Sequence, residues 1–230
     1  MIRSSIVKLD DLNAQDAVVL MHGIGHTRWT MAPLERALKD AGYATLNLSY
    51  PSRHHGISDL AHWLAGKVTA KSLWSRFAQV HFVGHSMGGL VIDAYLRRYR
   101  PEFPAKAMGR VVMMGTPHGG SEVADSLHRS WPYRIVFGPS GQELTTAARR
   151  RTKISPFYEL GMIAGTQGWL YPLGQLCLQP PHDGCVSVEG THIEGMKDHV
   201  TLAVHHGLVP WNKAVHAQTL HFLKDGVFKR

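Results

Sequence analysis

The sequence lacks long apolar runs, internal repeats and an N-terminal segment typical of export. No apolar stretch reaches the roughly 20 residues that a membrane-spanning helix needs. Residues 1–5 read MIRSS and have no apolar core of a secretory signal. We therefore expect a cytoplasmic protein, with an exported protein whose signal was trimmed as the alternative. With 44% hydrophobic and 18% charged residues, the 230-residue chain has the composition of one globular domain.

Cysteine is scarce, because the chain contains only Cys177 and Cys185. A scaffold held by several disulfides is therefore excluded. The pair could be two buried thiols or one short disulfide that braces the loop carrying Asp183, and the missing export signal favours thiols.

Acidic residues are outnumbered by basic ones, 17 to 25, so the formal net charge is +8 with the sixteen histidines neutral. Positive charge permits attraction to anionic lipid or nucleic acid. The only dense basic run, residues 149–153, lacks the interleaved aromatics of a nucleic-acid surface. We expect that run to be a solvated loop, and we expect no nucleic-acid partner. Peripheral contact with a lipid surface, through the charge and the aromatics of residues 122–155, remains open.

The most informative pattern lies in residues 80–89, which read VHFVGHSMGG. G-x-S-x-G after an apolar strand is typical of a sharp strand-to-helix turn, which needs Gly84 and Gly88 because a Cβ there would collide with neighbouring backbone. The turn lifts the Ser86 hydroxyl clear of the sheet. It also aims the Met87 N–H at the place where negative charge develops on an attacked carbonyl. An idle serine in a glycine-rich turn is the alternative interpretation.

Apolar runs that alternate with helical patterns predict strands and helices in turn. The predicted strands are residues 17–21, 44–48, 79–83, 110–114, 158–164 and 199–204, and the predicted helices include 31–41, one from 58 that breaks near Gly66, one from 87 to 98, and 213–223. This order indicates the α/β class, with a mainly parallel sheet covered by helices on both faces. In such sheets ligands bind beyond the carboxyl ends of the strands.

The segment from residue 122 to residue 155 interrupts this alternation, because it has no clear strand. It is rich in Arg, Ser and Gly, with scattered aromatic residues. Such a segment fits either a lid-like insertion over the site or ordinary surface helices.

A serine hydroxyl is a poor nucleophile at neutral pH, so it needs a histidine base and a carboxylate that orients the base. In strand-to-helix serine hydrolases the acid and then the histidine follow the serine along the chain. Asp183 lies in a turn-forming Asp-Gly before the last predicted strand, and initiating that turn is its alternative role. His205 and His206 follow the last predicted strand, so one of the two is the predicted base.

Four motifs carry a resemblance to the α/β-hydrolase superfamily, and within it to small bacterial lipases and esterases of the triacylglycerol-lipase type. They are HGIG at residues 22–25, GHSMGG at 84–89, GTPHGGS at 115–121 and Asp183-Gly184. The resemblance runs from about residue 17 to the C-terminus. The serine motif alone is specific only to the superfamily, whereas the GTPH segment is typical of its lipase-like members.

The resemblance implies a single α/β-hydrolase domain over residues 1–230 and a triad of Ser86, Asp183 and a histidine. It also implies an oxyanion hole formed by the N–H groups of Ile24 and Met87. The spacing of the loop before the last helix favours His206 over His205 as the base.

The implied activity is hydrolysis of carboxylic esters through an acyl-enzyme intermediate. A thioesterase, an amidase or an acyltransferase could use the same triad, and a non-catalytic ligand-binding protein of this fold is the alternative from another class. Some lipases of this type hold calcium near the base loop with two aspartates. Here only Asp183 and Asp198 are close in sequence, so we expect no metal and no cofactor.

Overall fold

The computed structural model describes residues 14–150 and 155–230. Within them, six strands form one sheet whose neighbouring pairs are all parallel. The strands are β1 Asp16–Met21, β2 Ala44–Leu48, β3 Gln79–His85, β4 Met108–Met114, β5 Leu160–Gly165 and β6 Asp198–Leu202. The helices are α1 Ala32–Asp40, α2 Ile57–Ala70, α3 Leu73–Arg76, α4 Met87–Tyr99, α5 Glu122–Leu127, α6 Trp131–Gln142, α7 Thr146–Arg150, α8 Pro172–Cys177 and α9 Lys213–Asp225.

The core has two layers because successive side chains of a buried strand face opposite sides of the sheet. In β1, Val19 and Met21 pack toward α2 and α4, whereas Val18 and Leu20 pack toward α1 and α9. All four side chains are fully buried. The expected α/β architecture, with a parallel sheet covered on both faces, is therefore confirmed.

The strand order β2-β1-β3-β4-β5-β6 places the first strand inside the sheet. The chain leaves β1 toward β2 on one side and returns to β3 on the other. The loops after β1 and β3 therefore diverge at the carboxyl edge, and a crevice opens between them. These two loops carry residues 22–25 and Ser86.

Helix α2 differs from the prediction in two ways, in its continuity at Gly66 and in its first residue. It continues through Gly66 without a break. It begins at Ile57, one residue earlier than expected, because Glu143 Oε1 accepts the Ile57 N–H at 3.0 Å. The capping carboxylate comes from a distant helix end, which no local pattern could indicate.

Residues 122–150 form α5, α6 and α7. Part of this segment is fixed to the sheet domain, since Ser140 Oγ donates a 2.5 Å hydrogen bond to the Ser52 carbonyl. Residues 151–154 lie outside the described residues. The predicted insertion is therefore described only in part, and its function as a lid remains a prediction.

The basic run at residues 149–153 was expected to be a solvated loop, and for Arg149 this is wrong. Arg149 lies in α7 and is only 6% exposed. Burial lowers the pKa of its guanidinium, while the carboxylates of Asp93 and Glu143 act in the opposite direction. These two carboxylates offset only part of the effect of burial, since the pKa remains lowered. Residues 151–153 lie outside the described part of the chain.

The turn between β3 and α4 requires a residue without a Cβ at position 84, and this requirement can be tested. A Cβ on this residue would lie 2.5 Å from the Cα and N of Gly89. We expect Gly84→Ala to lower the free energy of unfolding by about 1–3 kcal/mol because backbone atoms would have to move. Urea unfolding measures the change.

Gly66→Ala is the matched control, because no atom lies within 4 Å of a Cβ added there. In the middle of α2 this change should raise the free energy of unfolding by up to about 1 kcal/mol. Equal effects of the two substitutions would contradict the close approach at Gly84.

Candidate active site

Ser86 lies in the tight turn between β3 and α4, with φ of +53° and ψ of −128°. This conformation is strained for any residue with a Cβ, and the surrounding contacts hold it. The Ser86 N–H donates to the Met114 carbonyl at 2.8 Å, and the Thr116 hydroxyl donates to the Ser86 carbonyl at 2.9 Å. The serine is thereby fixed to the end of β4 on both sides.

The carboxyl edge of the sheet brings Ser86, His206 and Asp183 into one hydrogen-bonded line. His206 Nε2 lies 3.1 Å from Ser86 Oγ. On the other side of the ring, His206 Nδ1 lies 2.7 Å from Asp183 Oδ2. The second oxygen of Asp183 accepts the N–H groups of Cys185 at 3.0 Å and Val186 at 2.8 Å. This geometry fits a neutral imidazole that donates from Nδ1 and presents a free Nε2 to the hydroxyl.

His205 does not reach the serine. Its Nδ1 accepts the Gly207 N–H at 3.3 Å, and its ring packs on Tyr171 with the centroids 4.5 Å apart. Burial lowers the pKa of His205, although Asp183 opposes the shift. Of the two tandem histidines, only His206 lies within hydrogen-bond distance of Ser86 Oγ.

Gly115 leaves the space that the His206 ring occupies. Its φ is +57°, and a Cβ there would lie 3.1 Å from both His206 Nδ1 and Asp183 Oδ2. Glycine at this position permits the backbone conformation after β4 and avoids crowding the hydrogen bond between His206 and Asp183.

The expected oxyanion donors are Ile24, in the loop after β1, and Met87, at the start of α4. Met87 is the first residue of α4, where backbone N–H groups have no partner within the helix. The close packing of Gly88 brings this helix end to β1, since a Cβ on Gly88 would overlap the carbonyl oxygens of Met21 and His22. Ile24 lies two residues after His22, in the loop that follows β1, and lines the pocket beside Ser86.

A pocket of about 310 Å³ opens at Ser86 and His206. Its walls are mainly apolar or aromatic and come from α5, α6 and the loops that follow β1, β4 and β5. The side chains in these walls include Ile24, Pro117, Val123, Ala124, Tyr133, Phe137, Leu144, Tyr171 and Val186. Such a pocket suits an uncharged, apolar group next to the serine.

Two histidines beside the pocket, His22 and His85, are kept neutral by burial. The pKa of His22 falls to about 4 for this reason, and the pKa of His85 lies well below its usual 6.5 because of burial and the nearby His206 and His26. Two contacts hold the neutral His22 ring. Its Nδ1 donates to the Gly23 carbonyl at 2.7 Å, and the ring stacks on Tyr50.

Both cysteines are free thiols. Cys185 lies beside Asp183 in the pocket wall, where burial raises its pKa. Asp198 instead holds the C-terminal segment, because its carboxylate accepts the N–H of Phe228 at 2.7 Å and a guanidinium N–H of Arg230 at 2.7 Å. In residues 14–150 and 155–230, no group of three or more His, Cys, Asp or Glu side chains is arranged to hold a metal ion.

The profile of the alpha/beta hydrolase family matches residues 18–211, which include Ser86, Asp183 and His206. The chain belongs to the alpha/beta hydrolase family.

Solved structures share the fold of this alpha/beta hydrolase at low identity. The mature lipase BlEst2 of Bacillus licheniformis superposes with a TM-score of 0.74 and 19% identity over 91% of each chain. The metagenomic carboxyl esterase MGS0156 gives a TM-score of 0.72 at 18% identity, over 86% of this chain and 66% of the other. The type II thioesterase YbtT of the yersiniabactin pathway gives 0.62 at 15%, over 91% and 92%. No curated protein matches the sequence significantly.

Several residues of the site were not found from the sequence. Tyr171 reaches the pocket from the segment before α8, a helix that no pattern predicted. Thr116 was part of a recognised motif, but its bond to the Ser86 carbonyl required the fold. The histidine that precedes the serine, His85, makes a contact with the His206 loop that likewise had no sequence signal.

The buried neutral histidines predict a loss of stability in mild acid. An unfolded chain takes up these protons near pH 6.5, whereas the folded state resists protonation. The stabilisation is therefore complete above pH 6.5 and is lost as the pH falls toward 4. For His22 the loss by pH 5 is on the order of 2 kcal/mol.

His22→Asn retains a donor for the Gly23 carbonyl and removes the titration. Urea unfolding at pH 7 and pH 5 should therefore show a smaller drop in this variant than in the wild type. His54→Asn, at an exposed position, should show the wild-type drop. An unchanged drop in His22→Asn would contradict the assignment.

Proposed function

We propose that this alpha/beta hydrolase cleaves carboxylic esters with Ser86 as nucleophile, His206 as general base and Asp183 as the residue that orients the base. The observation that carries the proposal is the continuous contact from Asp183 Oδ2 through the imidazole to Ser86 Oγ, with distances of 2.7 and 3.1 Å. The 3.1 Å contact allows the Ser86 proton to pass to His206 Nε2 with little movement, and the 2.7 Å contact lets Asp183 hold the orientation of the ring.

In the proposed cycle, His206 Nε2 takes the Ser86 proton as Oγ attacks the ester carbonyl. The N–H groups of Ile24 and Met87 stabilise the oxyanion, each by on the order of 3 kcal/mol. His206 then gives its proton to the departing alcohol, which leaves an acyl group on Ser86. A water molecule, deprotonated by His206, attacks this ester and releases the acid. Asp183 stabilises the imidazolium in both halves of the cycle.

The substrate proposal is an ester with an apolar acyl group. Aromatic and aliphatic side chains form the pocket wall, including Tyr133, Phe137 and Leu144 of the helical segment. Transfer of an alkyl chain from water to such a wall contributes about 0.8 kcal/mol per buried methylene. Similarity to lipases, a carboxyl esterase and a thioesterase supports acyl chemistry but leaves the ester and thioester alternatives to experiment.

We also propose that the pocket opens onto a lipid surface. Four segments, residues 24–31, 131–137, 169–176 and 206–211, each contribute at least one residue to the pocket wall, and together we term them the apolar rim. They carry eleven of the twelve exposed large hydrophobic side chains in the described part of the chain. These are Trp29, Trp131, Ile135, Val136, Trp169, Leu170, Tyr171, Leu173, Leu176, Leu208 and Trp211.

The charge of the apolar rim favours an anionic lipid surface as its partner. Its sequence contains two arginines, Arg28 and Arg134, and no acidic residue. Tryptophan and arginine are both favoured at the surface of a lipid bilayer. The tryptophan ring enters the apolar region, and the arginine contacts the anionic headgroups. No helix in the described ranges is both long and apolar enough to cross a bilayer, so the proposed contact is peripheral.

The catalytic assignment predicts the activity of three alanine variants. Hydrolysis of p-nitrophenyl butyrate should fall by about 10³- to 10⁶-fold in kcat for Ser86→Ala and His206→Ala. His205→Ala should lose less than about tenfold, because His205 does not contact Ser86 and only packs on Tyr171 and accepts the Gly207 N–H.

Labelling with a fluorophosphonate separates catalysis from mere ligand binding, since only an activated serine reacts quickly. The wild type should be labelled, and Ser86→Ala should not. Unchanged turnover in Ser86→Ala, or loss confined to His205→Ala, would refute the assignment. Parallel assays with butyryl thioester and butyramide compare the alternative substrate classes.

The apolar rim predicts binding to vesicles of phosphatidylglycerol and phosphatidylcholine. The double variant Trp131→Ser, Ile135→Ser should bind at least about tenfold more weakly, because two exposed apolar side chains no longer enter the interface. Val227→Ser is the matched control, since Val227 is exposed but lies outside the rim. Sedimentation with the vesicles measures binding.

Equal binding by the double variant and the wild type, or no binding by either, would contradict the lipid-surface proposal. A wild-type dimer that dissociates in the double variant would assign the apolar rim to a second copy of the chain instead.

A further inference from the structure

His85 contacts the loop of the proposed base although it belongs to the serine's own strand. It is the last residue of β3 and is 1% exposed. Its Nε2 lies 3.1 Å from the backbone carbonyl oxygen of His206. A carbonyl oxygen can only accept, so His85 Nε2 must carry the hydrogen. In the neutral ring Nδ1 is then a bare lone pair.

The opposite side of the His85 ring faces the loop after β1. A Cβ on Gly23 would lie 3.2 Å from His85 Nδ1 and 3.2 Å from the Ser86 Cβ. Nδ1 is buried and has no hydrogen-bond partner among the described residues. The ring therefore fills the space between the oxyanion loop and the base loop, and it donates only toward the base loop.

The His206 backbone is held at both of its polar groups. Its N–H donates to the Asp183 carbonyl at 3.1 Å, and its carbonyl accepts from His85. The next residue is Gly207, whose backbone has little intrinsic restriction. Without the His85 contact, the carbonyl of the peptide group that joins His206 to Gly207 would lose its only described side-chain donor. The N–H of that peptide group would still contact His205 Nδ1 at 3.3 Å, so we expect the carbonyl to tilt rather than the whole loop to move.

We infer that His85 is a positioning residue, which fixes the His206 backbone so that Nε2 meets Ser86 Oγ. This inference rests on the proposed function, because it concerns the same serine and base. It assigns His85 no contact with the substrate. Its buried Nε2–H acts only through the carbonyl of His206.

Burial keeps the His85 ring neutral, which is compatible with a position beside His206. Its pKa lies well below 6.5, first because of burial and then because of the nearby His206 and His26. The groups around it therefore favour a neutral ring, which does not repel a positively charged His206 as a second imidazolium would. The two rings lie with centroids 5.0 Å apart, close enough for such repulsion to matter.

Three substitutions distinguish the effect of the hydrogen-bond donor at His85 Nε2 from the effect of the volume of the His85 ring. Gln places its amide nitrogen as far along the side chain as histidine Nε2, Asn places it at the level of Nδ1, and Phe keeps a ring without a donor. We expect His85→Gln to keep kcat for p-nitrophenyl butyrate within about threefold of wild type. His85→Asn and His85→Phe should lose about 10- to 100-fold in kcat through misplacement of the base.

The KM values should change less than kcat, because His85 borders the pocket beside Ser86 but is only 1% exposed and offers a substrate little surface. The rate of fluorophosphonate labelling should follow kcat across the three variants. His81→Asn is the control: His81 lies on the same strand, is equally buried, and accepts the Arg110 N–H through Nδ1, a position that asparagine oxygen can replace. It should leave kcat unchanged.

The inference is overturned if His85→Asn keeps wild-type kcat, or if His85→Gln loses as much as His85→Asn. Thermal unfolding checks that the variants are folded, and the Gln and Asn pair decides the matter even if His85→Phe does not fold. Failure of the proposed function looks different, because then the wild type itself neither hydrolyses the ester nor reacts with the fluorophosphonate.

Discussion

The site depends on the close approach between the start of α4 and the end of β1. A Cβ on Gly88 would overlap the Met21 and His22 carbonyl oxygens at the end of β1, and a Cβ on Gly84 would overlap the backbone of Gly89 across the turn. In this turn Ser86 has a positive φ of 53°, and the first N–H groups of α4 lie beside the loop after β1. The position of the nucleophile and the arrangement of the proposed oxyanion donors therefore rest on these two close contacts.

Once this turn is fixed, the sheet brings the other groups to it. The carboxyl ends of six parallel strands lie at one edge, so loops far apart in sequence become neighbours. Ser86 bonds to the ends of β4 on one side, and His206 bonds to Asp183 from the loop before β6 on the other. Each polar group in this line has a partner, which is how a buried carboxylate and a buried imidazole remain stable together.

Apolar side chains surround the hydrogen-bonded line of Ser86, His206 and Asp183. Some line the pocket, and others are exposed on its outer side. Helix α6 shows this most directly, because Tyr133 and Phe137 line the pocket while Trp131 and Ile135 face solvent. Burying apolar side chains against the core is ordinary, but exposing several large ones around one opening is not. The same helices thus shape the proposed acyl site and the proposed lipid-facing rim.

The sequence by itself determined the α/β class, the parallel sheet and the turn at Ser86, because strand periodicity and glycine requirements are local. Its motifs carried only a resemblance to the alpha/beta hydrolase superfamily, and the match of the family profile shows the membership. The sequence narrowed the base to two adjacent histidines and could not separate them by residue chemistry. Only the tertiary structure decided that His206 faces Ser86 while His205 packs on Tyr171. It alone also joined Glu143 to the start of α2 and His85 to the His206 carbonyl. These contacts join residues 86 and 121 positions apart in the chain, and no local pattern records which distant backbone group a side chain meets.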